Sequence, residues 1–234
     1  FLSQNHKKDN IKADVTIFSM RKSLPIPDGG ALSINIKKLK NKIEIGKNLK
    51  KPRVFKFLIF GVFEKIITSI WLPNIYSPLF DKIRHILKKI TFYQEEFVKP
   101  IPQTPSTFLN YYLKNKHHIE KIKYKKINNY NFMSTGLMKS GLKPYFPKLK
   151  EGCVPQWMLF YDPTKKIVQS LRKQGVGASY WPWDELPKEV SNSKHHYKIS
   201  NELNSHLALL PIHQDIQISE INHIINLVDK LQND

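Results

Sequence analysis

Lys22 sits in the segment Phe18-Ser-Met-Arg-Lys-Ser-Leu-Pro-Ile-Pro-Asp-Gly-Gly-Ala-Leu32, between two apolar runs and ahead of a stiff loop. A protonated lysine is a weak nucleophile. Partial burial or a neighbouring cation lowers a lysine pKa and frees an amine that can form a Schiff base. Arg21 is such a cation. Pro25 and Pro27 fix φ and remove two backbone donors, so the loop is neither helix nor central strand. Gly29 and Gly30 permit backbone angles and close approaches that a side chain forbids. The chain has 34 lysines, and exposed lysine is the norm, so Lys22 alone reads as a solvated strand-end residue.

Two elements must hold this lysine. Val15-Thr-Ile-Phe18 is rich in β-branched and aromatic residues and predicts a short buried strand. Ala31 to Ile36 predicts a second, with Leu32, Ile34 and Ile36 on one face. Further on, Lys99-Pro-Ile-Pro-Gln-Thr-Pro105 cannot be regular helix and marks a boundary between residues 1–105 and 106–234. Thr107 to Leu142 predicts a long helix with a break. Val154 to Phe160 predicts a strand. Asp162-Pro163 predicts a helix start, with aspartate as cap and proline in the first turn. Ile167, Val168 and Leu171 line one face of that helix, and Gly175 ends it. Val176 to Trp181 reads as a strand, Ser200 to His206 as a short helix and Leu207 to Leu210 as a strand. The last helix places Ile218, Ile221, Ile225, Val228 and Leu231 on one side. This alternation predicts a small α/β domain.

Composition narrows the function classes. With 41% hydrophobic residues the chain is globular. The formal charge of +19 raises nucleic acid or anionic membrane as partners. Only 4 arginines stand against the 34 lysines, and arginine is the usual bidentate reader, so a nucleic-acid partner is not expected. Lys114 to Lys126 reads as a solvated helix face. Val54 to Leu72 is the most apolar stretch, but Lys56, Glu64 and Lys65 interrupt it. It predicts a helix with a broad apolar face rather than a membrane span, with peripheral membrane contact as the minority reading. The single cysteine, Cys153, excludes an internal disulfide and a Cys-rich zinc cluster, and reads as structural. It fits a reducing cytoplasm. His117-His118 and His195-His196 are adjacent pairs that point apart, so no metal site is expected. No Ser/His/Asp triad and no GxxxxGK[ST] loop is present.

Four blocks in order carry a resemblance. The Lys22 segment, with Asp28-Gly29-Gly30 after the lysine, resembles an Arg-Lys variant of the cofactor-lysine motif of the DegT/DnrJ/EryC1/StrS aminotransferases, which use pyridoxal phosphate (PLP). Aspartate replaces the more usual glutamate, and the approach to the lysine is shorter. Ile119 to Tyr130 is similar to the family's basic helix ending in Asn-Tyr. Tyr145 to Pro155 is similar to its entry into the small domain. Leu207-Ala-Leu-Leu-Pro-Ile-His-Gln214 is similar to its late strand and loop. Residues 37–97 show no clear match.

The resemblance implies the C-terminal part of a fold-type-I PLP aminotransferase: the end of the large-domain sheet with helices (1–105), then a connecting helix and small α/β domain (106–234). Lys22 would carry PLP as a Schiff base and act as general base and acid. The Ser19 hydroxyl would donate to the cofactor phosphate. His213 and Trp181 would be substrate contacts at the site mouth, with Trp181 and Trp183 able to stack on a sugar or nucleotide. The donor would be an amino acid, commonly glutamate, and the acceptor a keto group of a nucleotide-linked sugar, in polysaccharide or secondary-metabolite biosynthesis. A cytoplasmic homodimer with no metal is implied. The upstream cofactor groups are expected to lie in a preceding segment, so the 234 residues alone are expected to bind PLP poorly and to be inactive. Two alternatives are a non-transaminating family member (a dehydratase or binding protein) and a basic protein that docks on membrane or nucleic acid.

Overall fold

A computed structural model of the chain describes residues 13–20, 23–24, 26, 29–40, 113–180 and 186–233. The chain divides into two compact units, Phe1–Ile122 and Lys123–Asp234. The expected proline-rich boundary at 99–105 and the expected apolar helix over 54–72 lie outside the described residues.

In the first unit, β1 (Val15–Ser19) and β2 (Gly30–Ile34) form an antiparallel pair, with Ile17 opposite Leu32 and Ser19 opposite Gly30. β2 stops two residues before the expected Ile36. Asn35 N–H still donates to the Asp14 carbonyl at 2.9 Å, and its Nδ2 donates to the Ala13 carbonyl at 2.6 Å. One helical turn, α1 (Lys37–Lys40), follows.

The second unit is a three-stranded antiparallel sheet with helices. The long α2 (Lys116–Lys139) leads into it. Leu142 N–H donates back to the Leu137 carbonyl, and Gly141 takes φ 80°, a helix end that glycine serves without strain. Then come β3 (Trp157–Tyr161), α3 (Lys166–Lys173), the two-residue β4 (Ser179–Tyr180), α4 (Lys188–Asn192), α5 (Lys198–His206), β5 (Leu207–Pro211) and α6 (Ile218–Asn233). The sheet order is β3-β5-β4, so the last strand is central. That explains why all of Leu207 to Leu210 is buried, whereas β3 alternates. The core joins Tyr130, Met133 and Leu137 of α2, Phe160 of β3, Leu171 of α3, Leu210 of β5 and Val228 of α6.

Several expectations shift. Lys126 is 5% exposed and belongs to the buried face of α2, not to a solvated one. It shares that face with Asn129, Tyr130, Met133 and Ser134, at helical spacing. The helix expected at Pro163 begins at Lys166, because Lys165 takes a left-handed φ of 60° and inserts a turn. Asp162 still binds the helix start: its Oδ2 accepts the Val168 N–H at 3.0 Å. The buried stripe of α6 is Ile221, Ile224 and Val228, with Ile218 46% exposed and Ile225 partly buried. Gln217 N–H donates to Glu220 Oε2 at 2.7 Å and supplies the cap of that helix.

Ile225 sits where it does because Gly136 lets it. A Cβ at Gly136 would come within 2.8 Å of the Ile225 Cγ1. Gly136→Leu is therefore expected to cost about 2–3 kcal/mol, since overpacking a close contact forces backbone or rotamer shifts. Urea unfolding checks this, and a loss within about 0.5 kcal/mol would mean the two helices separate freely.

Candidate functional site

The expected cofactor lysine, Lys22, lies outside the described residues, as do Arg21, Pro25, Pro27, Asp28 and the expected substrate contacts Trp181 and Trp183. Met20, Ser23, Leu24, Ile26, Gly29 and Gly30 of the same segment are described. Met20 N–H donates to the Gly29 carbonyl at 3.2 Å and closes the loop between β1 and β2. The Met20 carbonyl accepts from both Ser23 and Leu24 N–H at 2.9 Å. Met20, Leu24 and Ile26 are each only 3% exposed. Three apolar side chains thus anchor a loop that the sequence marks only as stiff. Gly29 takes φ 113°, which an L side chain rarely adopts. A Cβ on Gly30 would meet the Phe18 carbonyl at 3.1 Å, so the Asp-Gly-Gly end of the segment needs both glycines for the hairpin itself. Ser19 ends β1 with its side chain exposed, opposite Gly30. The hydroxyl is three residues from Lys22 and open to a ligand.

His213 occupies the β5–α6 loop and is exposed. Its carbonyl accepts from the Asn129 Nδ2 at 2.9 Å, which ties the loop to α2. One turn earlier on α2, burial lowers the pKa of the Lys126 ammonium, while the charge of Asp215 in the same loop opposes the shift. Neither Lys126 nor Asn129 stands out in the sequence, since a lysine in a lysine-rich helix gives no sign of being buried.

A second polar cluster holds the start of α3. Asp162 is fully buried. Besides Val168 N–H, its Oδ2 accepts the Tyr180 hydroxyl at 3.2 Å, and its own N–H donates to the His206 carbonyl at 2.9 Å. Burial first, and then the Asp162 charge, pushes the Tyr180 hydroxyl far above the usual tyrosine range, so it stays a donor. Across the sheet, Tyr161 donates to Glu202 at 2.9 Å, and that bond raises the Tyr161 pKa. These clusters position elements and offer no reactive group.

Among the described residues no group of three or more His, Cys, Asp or Glu could hold a metal ion. His117 and His118 lie on α2, and His195 and His196 in the turn before α5. Among the described residues no helix is long and apolar enough to cross a membrane.

No family model matches the chain, and no curated protein matches it. Solved structures do. A DegT/DnrJ/EryC1/StrS aminotransferase from Brucella abortus matches at a TM-score of 0.55 with 13% identity, over 94% of this chain and 52% of its own. A Streptococcus pneumoniae protein assigned as a sugar aminotransferase matches in its PMP form at a TM-score of 0.55 with 14% identity, over 94% of this chain and 53% of its own. Its PLP form matches equally well. The chain spans about half the length of the structures it matches. PLP needs an amine for its aldehyde and donors for its phosphate. The Ser19 hydroxyl at the end of β1 suits the second need, and lysine is the residue type that suits the first. At the level of fold, the chain is a mixed α/β structure similar to part of a PLP-dependent aminotransferase.

Proposed function

We propose that this chain is the part of a PLP-dependent sugar aminotransferase that carries the cofactor lysine and the small domain. The observation that carries the reading is the fold similarity over 94% of the chain, together with a closed, anchored loop around the Lys22 position. When bound, PLP supplies an electron sink that acidifies the α-carbon of the amino donor. Lys22 holds the cofactor. The Lys22 Nζ would take the proton from the α-carbon of the donor and, in the second half of the reaction, would give a proton to the carbon that receives the amino group. Ser19 donates to the phosphate. His213 and Trp181 contact the substrate. The donor is glutamate and the acceptor a keto group on a nucleotide-linked sugar, in a cytoplasmic homodimer serving polysaccharide or secondary-metabolite biosynthesis. Residues 1–105 close the large domain, and 106–234 form the connecting helix and small domain.

The test uses the full-length protein with added PLP. A visible absorption band is expected, and borohydride should abolish it and leave a phosphopyridoxyl label on Lys22 alone. Absence of the band, or a label on another lysine, refutes the reading.

A further inference from the structure

The segment Lys143-Pro-Tyr-Phe-Pro-Lys-Leu-Lys150 is basic, aromatic and firmly pinned. Pro144 bridges antiparallel to Phe160, and the Tyr145 N–H donates to the Leu159 carbonyl at 2.7 Å. From α2, the Tyr130 hydroxyl donates to the Phe146 carbonyl, and Ser134 Oγ donates to the Pro147 carbonyl at 2.8 Å. The main chain is thus held by two elements, yet Tyr145 is 45% exposed and Phe146 53%. The bridge register sets Tyr145 beside Leu159, and alternation along β3 places Trp157 on the face that Leu159 shares. Trp157 is 40% exposed. Lys143, Lys148 and Lys150 are all exposed. Exposed aromatics set among three exposed lysines, with the exposed Glu151 following the last of them, mark an interaction surface.

We propose that this segment docks the protein on an anionic lipid surface. Tyr145, Phe146 and Trp157 enter the headgroup region, and the three lysines meet lipid phosphates. Rigid amphipathic rings and lysines with long apolar stems suit that boundary. Single-stranded nucleic acid also uses aromatics with lysine, but it stacks bases on open ring faces. Here the Tyr145 and Phe146 rings meet at 81° with centroids 5.0 Å apart, so they form no common platform. The segment also lacks arginine. The inference stands independently of Lys22.

Cosedimentation of the full-length protein with vesicles tests it, using phosphatidylcholine alone and phosphatidylcholine with phosphatidylserine, at low and high salt. Binding is expected only to the phosphatidylserine vesicles and is expected to fall with salt. The double variant Tyr145→Ser, Phe146→Ser keeps the net charge and is expected to bind at least about tenfold more weakly with an unchanged melting temperature. Trp157 fluorescence is expected to shift to the blue on binding, and Trp157→Phe to remove that shift. The proposal is overturned if phosphatidylserine has no effect. It also fails if the double variant binds like the parent, which would assign binding to the diffuse charge of +19. Competition by a single-stranded oligonucleotide that depends on Tyr145 and Phe146 would make the surface a base-stacking one and overturn it likewise.

Discussion

Lys22→Ala in the full-length protein is expected to lower the rate of amino transfer by at least about ten-thousandfold, and to abolish the visible PLP band. The magnitude follows from two roles lost together, the covalent anchor and the proton carrier at the α-carbon. The fold should survive. The loop is anchored by Met20, Leu24 and Ile26 and closed by the Met20–Gly29 hydrogen bond, none of which the substitution touches. Single-turnover rates with glutamate and a keto-sugar nucleotide, beside a thermal melt, separate the two effects. Lys22→Arg keeps the charge and should be nearly as inactive, because a guanidinium stays protonated. A Lys22→Ala protein that keeps its rate within about tenfold would remove Lys22 from the chemistry and leave the fold similarity without its proposed mechanism.

Asp162→Ala is expected to be the most damaging small substitution in the second unit, at about 3 kcal/mol. The carboxylate is fully buried and accepts from Val168 N–H and the Tyr180 hydroxyl. Alanine leaves the buried Val168 N–H without its acceptor, while the Tyr180 hydroxyl keeps the Lys165 carbonyl at 3.0 Å. Asp162→Asn keeps the shape and one acceptor oxygen, and should cost about half as much. Urea unfolding of the two variants measures the difference, and a melting temperature lower by about 10 °C is expected for alanine. If alanine costs less than about 1 kcal/mol, the α3 start is held by the apolar contacts of Val168 and Leu171 rather than by the carboxylate.

The elements most readable in the sequence were those with a strong local signal. β1, β3, β5 and α6 lie within a residue or a few of their expected positions, and Ile167, Val168 and Leu171 are buried as their spacing requires, but β1, expected buried, leaves Ile17 80% exposed because among the described residues it pairs only with β2. Gly175 ends α3 at φ 83°. What local pattern cannot carry is partner choice. The central place of β5 depends on residues nearly 50 positions away in β3, and period-two alternation vanishes once both faces are covered. The stripe on α6 takes in Ile224 as well as Ile221 and Val228, with Ile225 packed beside it against Gly136, a fit between two helices that the spacing on one helix does not show. Lys126 and Asn129 were unreadable for the opposite reason: polar residues give no apolar periodicity, yet a loop at 213–217 covers them. At the candidate site the lysine and its glycines were legible as types in order. The anchoring of their loop by Met20, Leu24 and Ile26 was not, since isolated apolar residues in a loop carry no period.

One helix face takes hold of two distant loops by their carbonyls. Asn129 grips residue 213, Tyr130 grips 146 and Ser134 grips 147. A grip on the main chain is indifferent to what the gripped residue is. Substitutions at Phe146 or His213 can therefore alter what the loops present to the outside without moving the loops. The anchoring cost is concentrated in three residues of α2, and the recognising surface is released to diverge. A frame of this kind can keep its shape through many changes of ligand.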